Sequence, residues 1–157
     1  MANGPTNNKE LIQRFFKLQE ERVKVYQVFD SGFKEYLQTA PAYDFPKYRQ
    51  LVYNVTQTFN NLSAEVIDIE SKLRESGQHS ISNLVRKIQL KEKEKLEMTA
   101  KLQIAEQHAT GIDSSDPMIT EEAAALKPSL RKLVDDIVEL LDELKFEAED
   151  ILLLPDT

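Results

Sequence analysis

Residues 48–73 read YRQLVYNVTQTFNNLSAEVIDIESKL, and the spacing of their apolar side chains decides the fold. Tyr48, Leu51, Val55, Phe59, Leu62, Val66, Ile69 and Leu73 recur at steps of three and four in almost perfect alternation. A strand would repeat every two residues; steps of three and four place every one of these residues on a single stripe of an α-helix. The stripe lasts more than three heptads, the length of a real packing seam. Pro46 stands just before it, where the first helical turn tolerates a missing N–H. Ser76-Gly77 stands just after it, where glycine can take the left-handed conformation that closes a helix.

Upstream, the pattern predicts a helix from about Lys9 to Thr39. Asn7 with Glu10 three residues later resembles a capping box. Leu11, Phe15, Leu18, Val25, Phe29, Phe33 and Tyr36 form its stripe, and Ile12, Phe16, Val23, Tyr26 and Leu37 widen it. A face this broad buries against more than one neighbouring helix. Arg22 is the charged residue in register, and Gly32 weakens the helix by about 1 kcal/mol relative to alanine. Ala40-Pro41-Ala42-Tyr43 breaks the pattern.

Downstream, Ser80 is the predicted cap of a third helix that opens on Ile81, Leu84, Val85 and Ile88. The apolar register lapses across Leu90-Lys-Glu-Lys-Glu-Lys-Leu96 and returns at Met98, Leu102, Ala105 and Ala109, before Gly111. Helix propensity stays high through the lapse, so the helix is expected to continue. Residues 112–128 read as a linker followed by a short helix from Thr120 to Leu126, with Pro128 as a breaker. From Ser129 another stripe runs through Leu130, Leu133, Ile137, Leu141, Leu144, Ala148 and Ile151, broadened by Val134, Val138, Leu140 and Leu152. The expected architecture is all-α. Residues 1–8 form a disordered start, 9–111 an elongated antiparallel body of three long helices, and 129–157 an acidic helix. That last helix either completes a four-helix bundle or protrudes as a coiled-coil arm.

Charge is unevenly shared. Residues 112–157 hold 13 acids and four bases, net −9, while residues 1–111 hold 14 acids and 16 bases, net +2. The chain has no cysteine, which removes disulfides, thiolate metal sites and thiol nucleophiles. No apolar leader or span of 18 apolar residues is seen, so an intracellular protein, nuclear or cytoplasmic and without membrane contact, is expected.

Catalytic patterns are weak. His79 and His108 lie at opposite ends of one predicted helix. No HExxH, Glu-x-x-His or glycine-rich phosphate loop occurs, and acidic pairs such as Asp135-Asp136 read as a solvated face. The expectation is therefore no enzyme, no metal and no cofactor, with function carried by surfaces. Two candidate surfaces stand out. Arg86, Lys87, Lys91, Lys93 and Lys95 crowd the third helix, with Lys87, Lys91 and Lys95 stacked at (i, i+4). Interleaved glutamates favour an ion-paired helix face over phosphate binding, and no sequence-specific nucleic-acid motif occurs. Leu140, Leu144, Leu152 and Leu153 are candidates on the acidic helix, whose apolar end needs cover or a partner.

Three stretches, taken in order, resemble the "required for excision, type B" domain family. They are Phe16-Lys-Leu-Gln-Glu-Glu-Arg-Val-Lys-Val-Tyr26 continuing through Gly32-Phe-Lys-Glu-Tyr-Leu37, then Tyr48 to Phe59, then Leu90-Lys-Glu-Lys-Glu-Lys-Leu-Glu-Met-Thr-Ala-Lys-Leu-Gln103. The resemblance covers about residues 11–108 and carries no pattern for the acidic helix. Leu18, Gln19, Arg22, Tyr26, Lys93, Glu94, Lys95 and Thr99 match the family pattern. It implies a part in excision repair of damaged DNA and carries over no catalytic residue. A buried Arg22 paired with Glu94 or Glu97 would explain the polar residues near the seam. The leading expectation is a non-enzymatic repair accessory or scaffold working through helical protein contacts, with a homodimer left open. A generic coiled-coil subunit of a cytosolic or cytoskeletal complex, or a nonspecific DNA-backbone binder, are the alternatives.

Overall fold

In a computed structural model of the chain, described for residues 7–110 and 117–155, each apolar stripe is a helix. In order these are α1 (Asn8–Leu37), α2 (Phe45–Glu75), α3 (His79–Thr110), α4 (Pro117–Glu147) and the short α5 (Glu149–Leu152). No strand occurs among the described residues.

The helix ends follow local chemistry. The Asn7 side chain accepts from the Glu10 amide at 3.1 Å, satisfying an orphan donor of the first turn. Asp44 does the same for the Lys47 amide at 3.3 Å, with Pro46 in the first turn of α2. Gly77 has φ +88°. There the Gln78 amide donates to the Leu73 carbonyl at 2.9 Å and the Gly77 amide to Arg74 at 3.0 Å, the paired bonds of a Schellman ending. The chain turns tightly enough that α3 opens at His79, so Ser80 lies inside its first turn and is not its cap.

Two expectations fail in α4. Its helix begins at Pro117 and runs unbroken through Pro128, so the separate short helix and the restart at Ser129 do not exist. Pro128 and Ala124 are exposed, so the carbonyl that loses its helical donor can face water. Meanwhile Ala123, Leu133 and Ile137 stay buried on either side. Packing on both flanks outweighs the local penalty. Of the predicted linker at 112–118, residues 117 and 118 belong to α4, and of the start at 1–8, Asn7 caps α1 and Asn8 begins it; residues 1–6, 111–116 and the Thr120 side chain lie outside the described residues.

The helices alternate direction. At one end Ser76 Oγ lies 2.8 Å from Asn8 Oδ1, and Gly32 faces Leu51 near the other, so α1 and α2 are antiparallel. The Ser82 hydroxyl donates to the Glu70 carbonyl at 3.1 Å, and Tyr48 donates to Gln103 Oε1 at 2.7 Å, placing α3 antiparallel to α2. Helix α4 returns along α3, with Lys91 3.6 Å from Asp136. Its end then reaches α1: Lys145 lies 5.7 Å over the Phe16 ring, and Lys9 donates to the Leu154 carbonyl. The acidic helix thus folds back along α3 and brings its end to α1. The closure is confined to that end, since no Cα of α4 comes within 8 Å of α1 among the described residues.

Candidate functional site

The interior of this bundle contains charge. On α1, Phe15, Leu18, Gln19 and Arg22 share the inward face, and all are buried. Arg22 is only 2% exposed. One of its terminal nitrogens donates to Gln19 Oε1 at 2.6 Å and sits 3.7 Å from Glu92 Oε2. The other donates to Gln89 Oε1 and reaches Ser63 Oγ at 3.4 Å. The Gln19 amide donates to Glu92 Oε2 at 2.9 Å. Three helices are therefore joined by one polar layer. Glu92 is the counter-ion; Glu94 and Glu97, the expected partners, are exposed. The reason is register: Glu92 follows buried Ile88 by four residues and so projects inward. The lapse of apolar register in α3 is the point at which polar side chains enter the interior.

Burial shapes the titration of this layer. Desolvation lowers the Arg22 pKa, opposed by the Glu92 carboxylate. Lys95, with its ammonium 4.0 Å over the Tyr26 ring, is also pulled down by burial, again opposed by Glu92. The Tyr26 phenol is pushed well above its usual range, first by burial and then by the Glu92 charge.

The two histidines sit about 43 Å apart along α3. They cannot converge on one substrate. Among the described residues no group of three His, Asp or Glu is close enough together to hold a metal ion.

The predicted basic stripe comes apart in three dimensions. Arg86, Lys87 and Lys93 are exposed and have no ion-pair partner among the described residues. Lys91 is half-buried and paired with Asp136, while Lys95 packs on Tyr26. The (i, i+4) stack of Lys87, Lys91 and Lys95 is therefore not an open row of cations, because α4 covers its middle and α1 its end. The leucines divide similarly. Leu144 is 1% exposed inside the core, so it is not a partner surface. Leu140 and Leu152 are half-buried against that core, and only Leu153, at 75%, is open. The fold-back of α4 spends the apolar stripe that the sequence left looking for a partner.

Sequence reasoning missed a groove of about 360 Å³ between α2 and α3. Val66 and Val85 form its floor and Ile67 and Leu90 its lips, with Arg74 and Arg86 alongside. Ile67 is 56% exposed and Leu90 55%. A second hollow of about 180 Å³ adjoins it over the Arg22 layer, bordered by Asn60, Ser63 and Lys93. Gln89 lines both. The available signal was two large apolar residues standing just out of register with the seams, Ile67 beside Val66 and Leu90 after Ile88.

These features define an all-α antiparallel bundle with a charged internal layer and an open groove on one face. A family model described as DNA repair REX1-B matches residues 10–106, and the chain belongs to that family, which links it to DNA repair. It is 36% identical over 143 residues to a Bos taurus protein named "Required for excision 1-B domain-containing protein", covering 90% of this chain and 77% of the relative. A Mus musculus protein of the same name is 36% identical over 140 residues, covering 88% of this chain and 80% of its own length. Such coverage must extend well beyond residue 106, so the likeness includes much of α4. No solved structure matches the chain. Among the described residues no helix is long and apolar enough to cross a membrane.

Proposed function

We propose that the chain is a non-enzymatic accessory or scaffold protein of excision-type DNA repair, acting in the nucleus or cytoplasm by offering helical surfaces to protein partners. The observation that carries this reading is the groove between α2 and α3, where Ile67 and Leu90 remain in water although the core beneath them is complete. Large apolar side chains left exposed beside a groove are more useful to a partner than to the fold. The charged groups of the interior, Arg22 of α1 and Glu92 of α3, are turned on one another, with Gln19 bridging them. Their arrangement supports a structural part for them.

The test is genetic and uses the intact chain. Cells lacking the protein should be sensitive to DNA lesions that are removed by excision. Wild type and a His79→Ala/His108→Ala double variant should restore resistance equally. Unchanged sensitivity of the deletion would remove the repair role, and failure of the double variant, if folded, would reopen catalysis. Truncation at residue 111 is not a useful variant, because it strips Ile137, Leu144 and Ala148 from the core.

A direct contact with the DNA backbone is the second reading, favoured by Arg86, Lys87 and Lys93, exposed cations without an ion-pair partner among the described residues. A mobility shift that weakens steeply with salt and with reversal of these charges would support it.

A further inference from the structure

We propose that the groove between α2 and α3 seats an acidic amphipathic helix of a partner protein. The proposal rests on the protein-contact reading above and names the chemistry of the contact.

Two of the four cations that border the groove and its extension are neutralised within the fold, Arg74 by Glu70 and Arg22 by Glu92. Arg86 and Lys93 are not, among the described residues. They are seven residues apart on α3, which is two turns and about 10 Å along one wall. The groove lies in the part of the chain that is net +2, away from residues 112–157 with their net charge of −9. An acidic segment would be repelled by the outer face of α4 and drawn here, which selects site and orientation together.

Shape and polarity narrow the occupant. Ile67 from α2 and Leu90 from α3 both line the groove and both stand more than half exposed. From Asn60 to Arg74 the groove with its extension follows α2 for about 21 Å, the length of roughly 14 helical residues. A helix lying there can place apolar residues at i, i+3 and i+4 between the lips, with acids two turns apart against Arg86 and Lys93. A DNA backbone would set phosphates against Ile67 and Leu90 and gain only two cations. The chain's own acidic helix is already committed to α3 through Leu133, Ile137 and Leu144. The occupant is therefore a separate polypeptide.

The experiment uses the full chain and two synthetic helical peptides of about 14 residues. Both carry the same leucine stripe; one has glutamate flanks and the other lysine flanks. Fluorescence anisotropy reads affinity, and amide chemical shifts read location. The glutamate peptide is expected to bind, to weaken with salt, and to shift amides in residues 60–74 and 86–93. Arg86→Glu/Lys93→Glu alters exposed residues only, so its melting curve should match wild type. Its affinity for the glutamate peptide should fall about tenfold or more, with preference moving to the lysine peptide. Equal binding of both peptides, no binding, shifts outside the groove, or displacement by a short DNA duplex would overturn the proposal. Crosslinking in damaged cells separates this failure from that of the broader reading. If the double variant captures repair factors as well as wild type does, the groove is not their site and the accessory role stands. If wild type captures none, both fall.

Discussion

The two ends of the bundle are held by different chemistry. At the end where α1 begins and α4 finishes, four helices meet through Ile12, Phe15, Leu18, Leu73, Val85, Ile88 and Leu144, all but excluded from water. At the opposite end α1, α2 and the connection between them meet through aromatic rings, with Tyr36 stacked on Tyr48 at 4.6 Å and packed near Tyr43 at 5.5 Å. Tyr48 also reaches α3 by donating to Gln103. Between them lies the Arg22 layer. The difference separates stability from register. Apolar stripes with a three-four repeat look alike after a shift of one heptad, so the dry end alone tolerates sliding. A slide would part Arg22 from Glu92 and Gln89 and leave buried charges unpaired, which is far more costly.

The largest expected effect lies at the dry end. Replacing Leu62 and Val66 with aspartate puts charge into the seam between α2 and its neighbours, where Val66 is fully buried. The cost exceeds about 4 kcal/mol, and cooperative thermal unfolding should disappear. A double variant with wild-type helicity and melting temperature would refute the packing register.

Next comes the polar layer. Arg22→Met strands the Glu92 carboxylate and the Gln89 carbonyl in the interior and should cost about 3–5 kcal/mol in urea unfolding. Adding Glu92→Met should recover most of that loss, since a well-packed apolar pair can match a buried ion pair. If Arg22→Met alone is harmless, the layer holds nothing, and the contrast between the two ends collapses.

The place of α4 gives an intermediate effect. Leu144→Ala should cost about 2–5 kcal/mol because it opens a cavity in the four-helix end. Leu153→Ala, at an exposed position on the same acidic segment, should shift stability by less than about 0.5 kcal/mol. Equal costs would mean that the fold-back of α4 contributes nothing.

Much of this was legible in the sequence. The stripe from Tyr48 to Leu73 placed α2 to within a few residues, and Asn7, Pro46 and Gly77 marked ends correctly, because period and capping are local properties. What covers a stripe is not local. The leucines of α4 announced burial without naming α3 as the cover, so arm and bundle looked equally good. Pro128 was read by a local rule that flanking contacts override. The Arg22 partner was hidden among alternating lysines and glutamates in 91–97, where one residue of register decides which acid points inward. Gly32 looked like a defect, yet a Cβ there would lie 2.5 Å from the end of the Leu51 side chain, so glycine makes room on α1 for that leucine.

The smallest effect tests the aromatic end by pH. Burial, with the neighbouring Tyr36 adding to it, raises the Tyr48 phenol from 10.0 to about 12. The unfolded chain therefore releases this proton first, while the folded chain still holds it. Between pH 10 and 12 the folded state binds more protons, so stability falls as pH rises through that window and is intact below it. Tyr26, raised further by burial beside the charged layer, acts in the same direction. In a phenolate absorbance titration part of the signal should lag toward pH 12, and the melting temperature should decline over the same range. Tyr48→Phe should remove part of the lag and flatten the decline, while also losing the hydrogen bond to Gln103. A single absorbance step near pH 10 with an unchanged melting temperature would show that the aromatic end is open to water, and that only the dry end is a true interior.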